Sequence, residues 1–501
     1  MSTPPQTRTI PLSEPQRWRA FWVCVAVAAI TILDLSKVNV ALPSIETALG
    51  STSTDLQLIV SGYVLTFGLV LVPMGRIGDQ RSRRLLFLIG LALFTATSLL
   101  CAVAISSEML LIGRLLQGVA AGIQMPQVIG LIQELFHGAA RGRAFGMFGA
   151  IIGISTAFGP TLGGLLIEIG GPVDGWRWIF WMNVPLCLVA MALAAWMLPS
   201  TRRASTKKLE LDPVGVLLFG LAVLALMWPF LFTTGSPEDD PRRWWLLVVF
   251  VVFAGAFVAW ERRYQARGHA PLIPLRLFRV SSYRNGTLIM TAYLTALPPV
   301  FLLTTLFLQV GLGLSALYAG MVTIGFALAS SVASWLSGRL VARFGRSLVV
   351  WGLVGVLVSI VGLTAAALYV PPDAIAWVMA GIMTVAGFAG GVVISPNQTL
   401  TLEEIPVKQG GLAGSVGQLG QRVGTSIGTA VALSLFYATI FREEGGEASS
   451  YVIYHDAYAY GMVASALFVA LAFLLGLLDL TARRRGRPTG EVTGPDSESP
   501  R

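Results

Sequence analysis

The stretch Leu33–Pro43, reading LDLSKVNVALP, places Asp34, Lys37 and Asn39 inside an otherwise apolar run that begins near Phe21. An ionisable side chain at bilayer depth costs roughly 2.5–3.5 kcal/mol on insertion scales, so such a group faces a protein interior or a wet cavity and marks a path for ions or substrates. Asp34 and Lys37 are three residues apart, which puts them on one helix face within pairing distance. The pair admits two readings. In one it is a structural ion pair, neutral overall, from which neither partner can be removed without leaving a buried charge. In the other it is poised to exchange a proton, because low dielectric and a neighbouring cation pull the carboxyl group in opposite directions.

Other polar residues stand in apolar surroundings. Arg114 and Gln117 lie in RLLQGVAAGIQMPQ. An arginine keeps its charge, so at membrane depth it needs acceptors or an anion; Arg114 either governs the proton affinity of Asp34 or snorkels and caps carbonyls. Arg422, among Gly420, Gly424 and Gly428, is either a cavity charge or a snorkelling residue near a helix end. Asn39, Gln309, Asn397 and Gln398, with Tyr63, Phe67 and Tyr293, are candidate cavity-lining positions.

The elements that position these residues are membrane helices. Of 501 residues, 55% are hydrophobic and 12% charged, the latter about half the share of a soluble domain. Fourteen apolar runs of roughly 20 residues, each long enough to cross a hydrocarbon core, exclude a soluble enzyme. The spans are expected near 20–43, 56–75, 85–105, 109–133, 144–168, 177–198, 212–232, 244–263, 285–310, 316–338, 348–370, 375–400, 411–441 and 458–480. The net charge of +9 sits mostly in short loops on one side: Arg76, Arg81, Arg83 and Arg84, then Arg141 and Arg143, then Arg202, Arg203, Lys207 and Lys208, then the arginines after Leu480. That asymmetry sets topology, with both termini cytoplasmic, rather than pointing to nucleic acid. Phe21–Leu33 has the character of a signal-peptide core, but Asp34 and Lys37 follow where a small-residue cleavage site would stand, so the first helix is expected to be retained. Cys24, Cys101 and Cys187 fall in different spans and are expected to be core residues. His137, His269 and His455 are scattered, so no metal site is expected.

GRIGDQRSRR, from Gly75 to Arg84, follows the second span, and GRLVARFGRS, from Gly338 to Ser347, follows the tenth. Both are expected as short turns between paired helices. Two homologous halves explain the repeat if the seventh and eighth spans are an insertion. The expected organisation is a cytoplasmic segment 1–19, a six-helix bundle 20–198, linkers with the inserted pair 199–284, a second six-helix bundle 285–480 and a disordered cytoplasmic tail 481–501.

Taken together, these residues resemble the major facilitator superfamily, and within it the fourteen-helix drug:proton antiporters, over residues 20–480. Asp34 with the Asn39–Pro43 run is similar to the first-helix signature, although Lys37 stands at a usually uncharged position. Gly75, Asp79, Arg83 and Arg84 match the loop between the second and third helices, with Ser82 in place of a usual glycine. The resemblance makes these residues a latch in which Asp79 accepts hydrogen bonds from a helix N-terminus. Arg114-Leu-Leu-Gln117-Gly118 resembles the fourth-helix motif. GMFGAIIGISTAFGPTLGG resembles the antiporter motif, with Gly159, Pro160, Gly163 and Gly164 forming a hinge and Ser155 at a usual glycine. WRWIFWMNVP, Trp176–Pro185, also looks like this family and forms an outer aromatic belt.

What the resemblance implies is an all-α transporter of the cytoplasmic membrane, two six-helix bundles plus an inserted pair. It would export small amphiphilic compounds in exchange for protons, with Asp34, Lys37 and Arg114 coupling the two. It is expected to act as a monomer driven by the proton gradient, without a cofactor. A lipid or lipid-linked glycan flippase on the same fold is the alternative. Catalysis is not expected, because no phosphate-binding loop or Ser/Cys–His arrangement appears.

Overall fold

The computed structural model describes residues 12–171, 173–199, 212–233, 239–314, 316–443 and 450–485. The expected basic linker at 200–211 and tail from 486 onward lie outside the described residues. Apolar runs longer than a hydrocarbon core can satisfy their backbone only as helices. The chain accordingly forms α1 (Glu14–Leu49), α2 (Ser53–Gln80), α3 (Arg83–Ala102), α4 (Ser107–Leu135), α5 (Gly138–Gly170), α6 (Gly175–Trp181), α7 (Asn183–Met197), α8 (Pro213–Leu231), α9 (Leu246–Ala266), α10 (Ser281–Leu306), α11 (Ala316–Phe344), α12 (Arg346–Tyr369), α13 (Pro372–Thr401), α14 (Gly410–Glu443) and α15 (Ser450–Arg485). Among the described residues there are 14 segments long and apolar enough to cross a membrane, with α6 and α7 sharing one.

The helices outrun the apolar runs, because hydropathy registers only the hydrocarbon core while caps extend each helix into the interface. The backbone N–H of Ser13 donates to Gln16 Oε1 at 2.9 Å to start α1, and Gly50, at φ 63°, ends it in the left-handed conformation. Thr52 and Asp55 cap each other's amides at 3.2 and 2.9 Å to start α2. The same extension corrects the reading of the repeat. Gly75 and Asp79 belong to the last turns of α2, and the turn itself is only Arg81 and Ser82. In the second copy Gly345, at φ 53°, is the whole break between α11 and α12.

The first half, α1–α7, and the second, α10–α15, each enclose an apolar core. Phe21, Phe67, Phe87, Phe94 and Leu131 lie at the centre of one, and Tyr293, Leu353, Met383 and Val469 at the centre of the other. The inserted helices α8 and α9 pack on each other, and α8 lies on α2 and α14. The segment 267–280 is no loose linker: Leu272, Ile273 and Leu277 are buried and anchor the pair to the first core.

The halves meet along two seams, α2 with α14 and α5 with α11. Both are tightest at the end that carries the two repeat turns, the basic end. An added Cβ at Gly75 would lie 2.1 Å from Ser415 Oγ, and one at Gly338 would lie 2.7 Å from the Gly142 carbonyl. Glycine at these positions lets the backbones touch.

Candidate functional site

Asp34 is the centre of a buried polar cluster inside the first half. α1 presents Asp34 and Lys37 one turn apart, as their spacing requires, and both are fully buried, as is Arg114 of α4. Arg114 Nη1 donates to Asp34 Oδ2 at 2.8 Å, and Lys37 Nζ stands 3.6 Å from Asp34 Oδ1. Asn183, the first residue of α7, joins the pair: its Nδ2 donates to Asp34 Oδ1 at 2.7 Å while its Oδ1 accepts from Lys37 Nζ at 2.6 Å. Arg114 Nη1 also donates to Gln117 Oε1 at 2.7 Å, and Gln117 Nε2 donates to Ser98 Oγ at 2.8 Å. One carboxylate is therefore set between two cations, with the amides of Asn183 and Gln117 and the hydroxyl of Ser98 beside them. Such an arrangement holds its geometry because every alternative leaves a charge unpaired in low dielectric.

The cluster reaches the second half through rings. The Arg114 guanidinium lies 4.2 Å from the centre of the Tyr63 ring, and Tyr63 packs edge-on against Phe67 at 6.0 Å. Arg422 of α14 lies 4.8 Å over Phe67. It sits near the middle of its helix and touches the first half, so it does not snorkel at a helix end. Tyr63 and Phe67 are both fully buried, and the Tyr63 hydroxyl has no hydrogen-bond partner among the described residues.

At the basic end Asp79 accepts from the backbone N–H groups of Gly411 and Leu412, at 3.1 and 2.8 Å, at the N-terminus of α14. There a carboxylate meets unpaired amides and the positive end of the helix dipole. Arg83 Nη2 holds Asp79 Oδ1 at 2.7 Å and the Val407 carbonyl at 2.8 Å, and its Nη1 holds Glu134 at 2.9 Å. Arg84 is not part of this group; it donates to the Ala195 carbonyl at the end of α7. In the second copy of the repeat Ala342 stands where Asp79 stands in the first, but Arg346 matches Arg83. Arg346 Nε pairs with Asp479 Oδ2 at 2.6 Å and its Nη1 donates to Asn397. Asn397 in turn donates to the Gly286 carbonyl at 2.9 Å, which places it in a buried brace at the basic end.

α5 touches both the other half and the Asp34 cluster. Gly142 and Gly146 face Gly338 of α11, whereas Gly159 and Gly163 face Ser36 and Lys37 of α1. A Cβ at Gly159 would lie 2.1 Å from Ser36 Oγ, and one at Gly163 would lie 3.0 Å from the Lys37 carbonyl. Gly164 has room, and Pro160 is an exposed residue within a continuous helix. Asn39 is exposed, and Gln309 lies in the irregular turn Phe307–Gly311 at the far end of α10, so neither joins the cluster.

Asn183 and Ser98 are the residues that sequence reasoning missed. A lone amide opening an apolar helix is a signal for Asn183; a serine in a membrane helix carries none. Cys24, Cys101 and Cys187 are buried free thiols. Among the described residues, no group of three or more His, Cys, Asp or Glu side chains is placed to hold a metal ion.

The profile of the Major Facilitator Superfamily matches residues 24–429, and the chain belongs to that superfamily. It is 32% identical over 454 residues to the probable actinorhodin transporter of Streptomyces coelicolor, covering 87% of this chain and 75% of that one. It is 31% identical to the puromycin resistance protein pur8 of Streptomyces alboniger, covering 94% of this chain and 90% of that protein. The crystal structure of the human organic anion transporter MFSD10 superposes with a TM-score of 0.65 at 15% identity, covering 93% of this chain and all of that one, which shows the common fold. This is a multi-pass membrane transporter homologous to antibiotic export and resistance proteins.

Proposed function

We propose that the protein is a proton-coupled antiporter that exports small amphiphilic compounds across the cytoplasmic membrane, with both termini and the basic end in the cytoplasm. The observation that carries this reading is the burial of Asp34 between Lys37 and Arg114 at membrane depth. With all three groups charged, the cluster holds one positive charge in excess. Arg114 keeps its proton; Lys37 can release its own and leave the cluster neutral. We therefore assign the exchangeable proton to the Asp34–Lys37 pair, with Lys37 as the group that gives it up.

The resemblance to antibiotic exporters supports a hydrophobic or amphiphilic cargo, and the Arg422–Phe67–Tyr63–Arg114 contacts supply a route by which cargo between the halves would act on the pair. The bundles 20–198 and 285–480 would rock about the α2–α14 and α5–α11 seams, driven by the proton gradient alone. One chain holds the whole path, so a monomer suffices.

The test is purified protein in liposomes with an imposed pH gradient and an interior pH dye, against cationic, neutral and anionic amphiphiles. Wild type is expected to move protons when substrate is added, and Lys37→Arg, which keeps the charge but cannot release the proton, is expected to bind substrate without moving protons. Proton movement that persists in Lys37→Arg would place the carrier elsewhere. Labelled lipids crossing the bilayer while no compound moves protons would replace the antiporter with a flippase.

A further inference from the structure

The repeat places an arginine at its second position in both halves, Arg76 in one copy and Arg339 in the other. Their surroundings differ. On the α2–α14 seam the inserted pair lies across the junction: Met227 of α8 and Leu419 of α14 both come within 3.4 Å of the Cβ position of Gly68 on α2. The side chain of Glu261 on α9, 1% exposed, accepts the Leu272 amide at 3.0 Å and ties the inserted pair to the segment that follows it. The inserted helices thus give this seam an apolar cover.

Among the described residues neither inserted helix packs on the equivalent seam, α5–α11. At its basic end a groove of about 330 Å³ opens, lined by Trp18 and Trp22 of α1, Arg143 and Met147 of α5, and Trp335 and Arg339 of α11. Trp22 and Trp335 are 49% and 41% exposed. Arg339 stacks on Trp335 at 3.7 Å. Among the described residues no ion pair involves Arg143 or Arg339. Two uncompensated guanidiniums beside three tryptophans at the level of a membrane interface match a ligand with a phosphate at one end and hydrocarbon at the other.

We propose that this groove seats an anionic phospholipid, its phosphate held by Arg143 and Arg339 and its acyl chains lying along Trp22 and Trp335. The lipid supplies on this seam the apolar cover that α8 supplies on the other. Because α1 and α5 belong to one half and α11 to the other, the bound lipid bridges the halves and favours the arrangement in which the basic ends touch.

The test uses the full chain in vesicles of phosphatidylcholine and phosphatidylglycerol, either lipid carrying brominated acyl chains that quench tryptophan. The difference in fluorescence between wild type and Trp335→Phe isolates the Trp335 signal. Each arginine near an anionic headgroup is worth about a fivefold preference, so phosphatidylglycerol should be favoured by about 30-fold at Trp335. Arg143→Gln with Arg339→Gln should abolish that preference, and the two lysine substitutions should retain most of it. Equal quenching by both brominated lipids in wild type would overturn the proposal without recourse to any variant that fails to fold. So would relief of the quenching by inorganic phosphate alone, which would indicate a free-anion site, or by an anionic amphiphile that is then transported, which would make the groove a substrate entrance.

Discussion

At Asp34 the two readings that the sequence left open, structural pair and proton site, turn out to share the same atoms. Asp34 satisfies Arg114 and Asn183 and lies beside Lys37, so its neutralisation strands two buried cations. Asp34→Asn is therefore expected to lose about 3–5 kcal/mol of stability, read as a lowered melting temperature in detergent. Adding Lys37→Met to Asp34→Asn, which leaves Arg114 as the single cation, should recover part of that loss but no proton coupling. A melting temperature for the double variant at or below that of Asp34→Asn would show that packing rather than charge balance sets the cost. The Asp34–Lys37 contact was legible because its spacing is local. Asn183 was not, since it lies 149 positions from Asp34 and only the packing of α7 on α1 brings it there.

At the scale of the helix, the glycines of α5 do two separate things. Gly142 and Gly146 permit the approach of α11, and Gly159 and Gly163 permit that of α1 beside Lys37. Movement of α5 against α11 would thus be transmitted to the α1 backbone at Lys37, in the proposed proton site. Gly163→Leu should force α1 away at Lys37 and reduce transport strongly, whereas Gly164→Ala, at a position with room, should leave transport near wild type. Equal loss in both would refute this division. The motif was readable as small residues on a helix, but which neighbour each one faces depends on a register that only the packed helices define. The same holds for Asp79. A loop was expected from its polarity, yet the Gly411 and Leu412 amides and Arg83 keep it in the last turn of α2. Asp79→Ala removes charge-assisted bonds worth roughly 1.5–3 kcal/mol each, and should open the basic end. The measure is faster thiol labelling of Ser415→Cys, a fully buried position that faces Gly75 across the α2–α14 seam. Unchanged labelling would show that glycine contacts alone close this end.

For the whole molecule, the fourteen spans and two halves follow from hydropathy and the repeat, whereas the direction in which the halves are closed does not. That closure is visible in where the α5–α11 contact stops. It runs from Gly142 against Gly338, through Ala150, whose carbonyl accepts the Ser331 hydroxyl at 2.9 Å, to Gly153, where a Cβ would lie 3.6 Å from Ser331 Oγ, while Phe158 and Leu165 further along α5 are 44% and 51% exposed. Two rigid bundles touching at one end and parted toward the other form one of the two arrangements that alternating access requires. Under the proposed mechanism, transport would depend on parting the contact at Ala150 and Ser331. In a background with Cys24, Cys101 and Cys187 replaced by alanine, a short bifunctional maleimide across Ala150→Cys and Ser331→Cys should lock the basic end shut. Substrate flux should stop, while binding from the far side persists. Each single cysteine treated with the same reagent should keep its flux, because nothing spans the seam. Flux surviving the double cross-link would mean that the halves do not separate there, and that cargo crosses by another route.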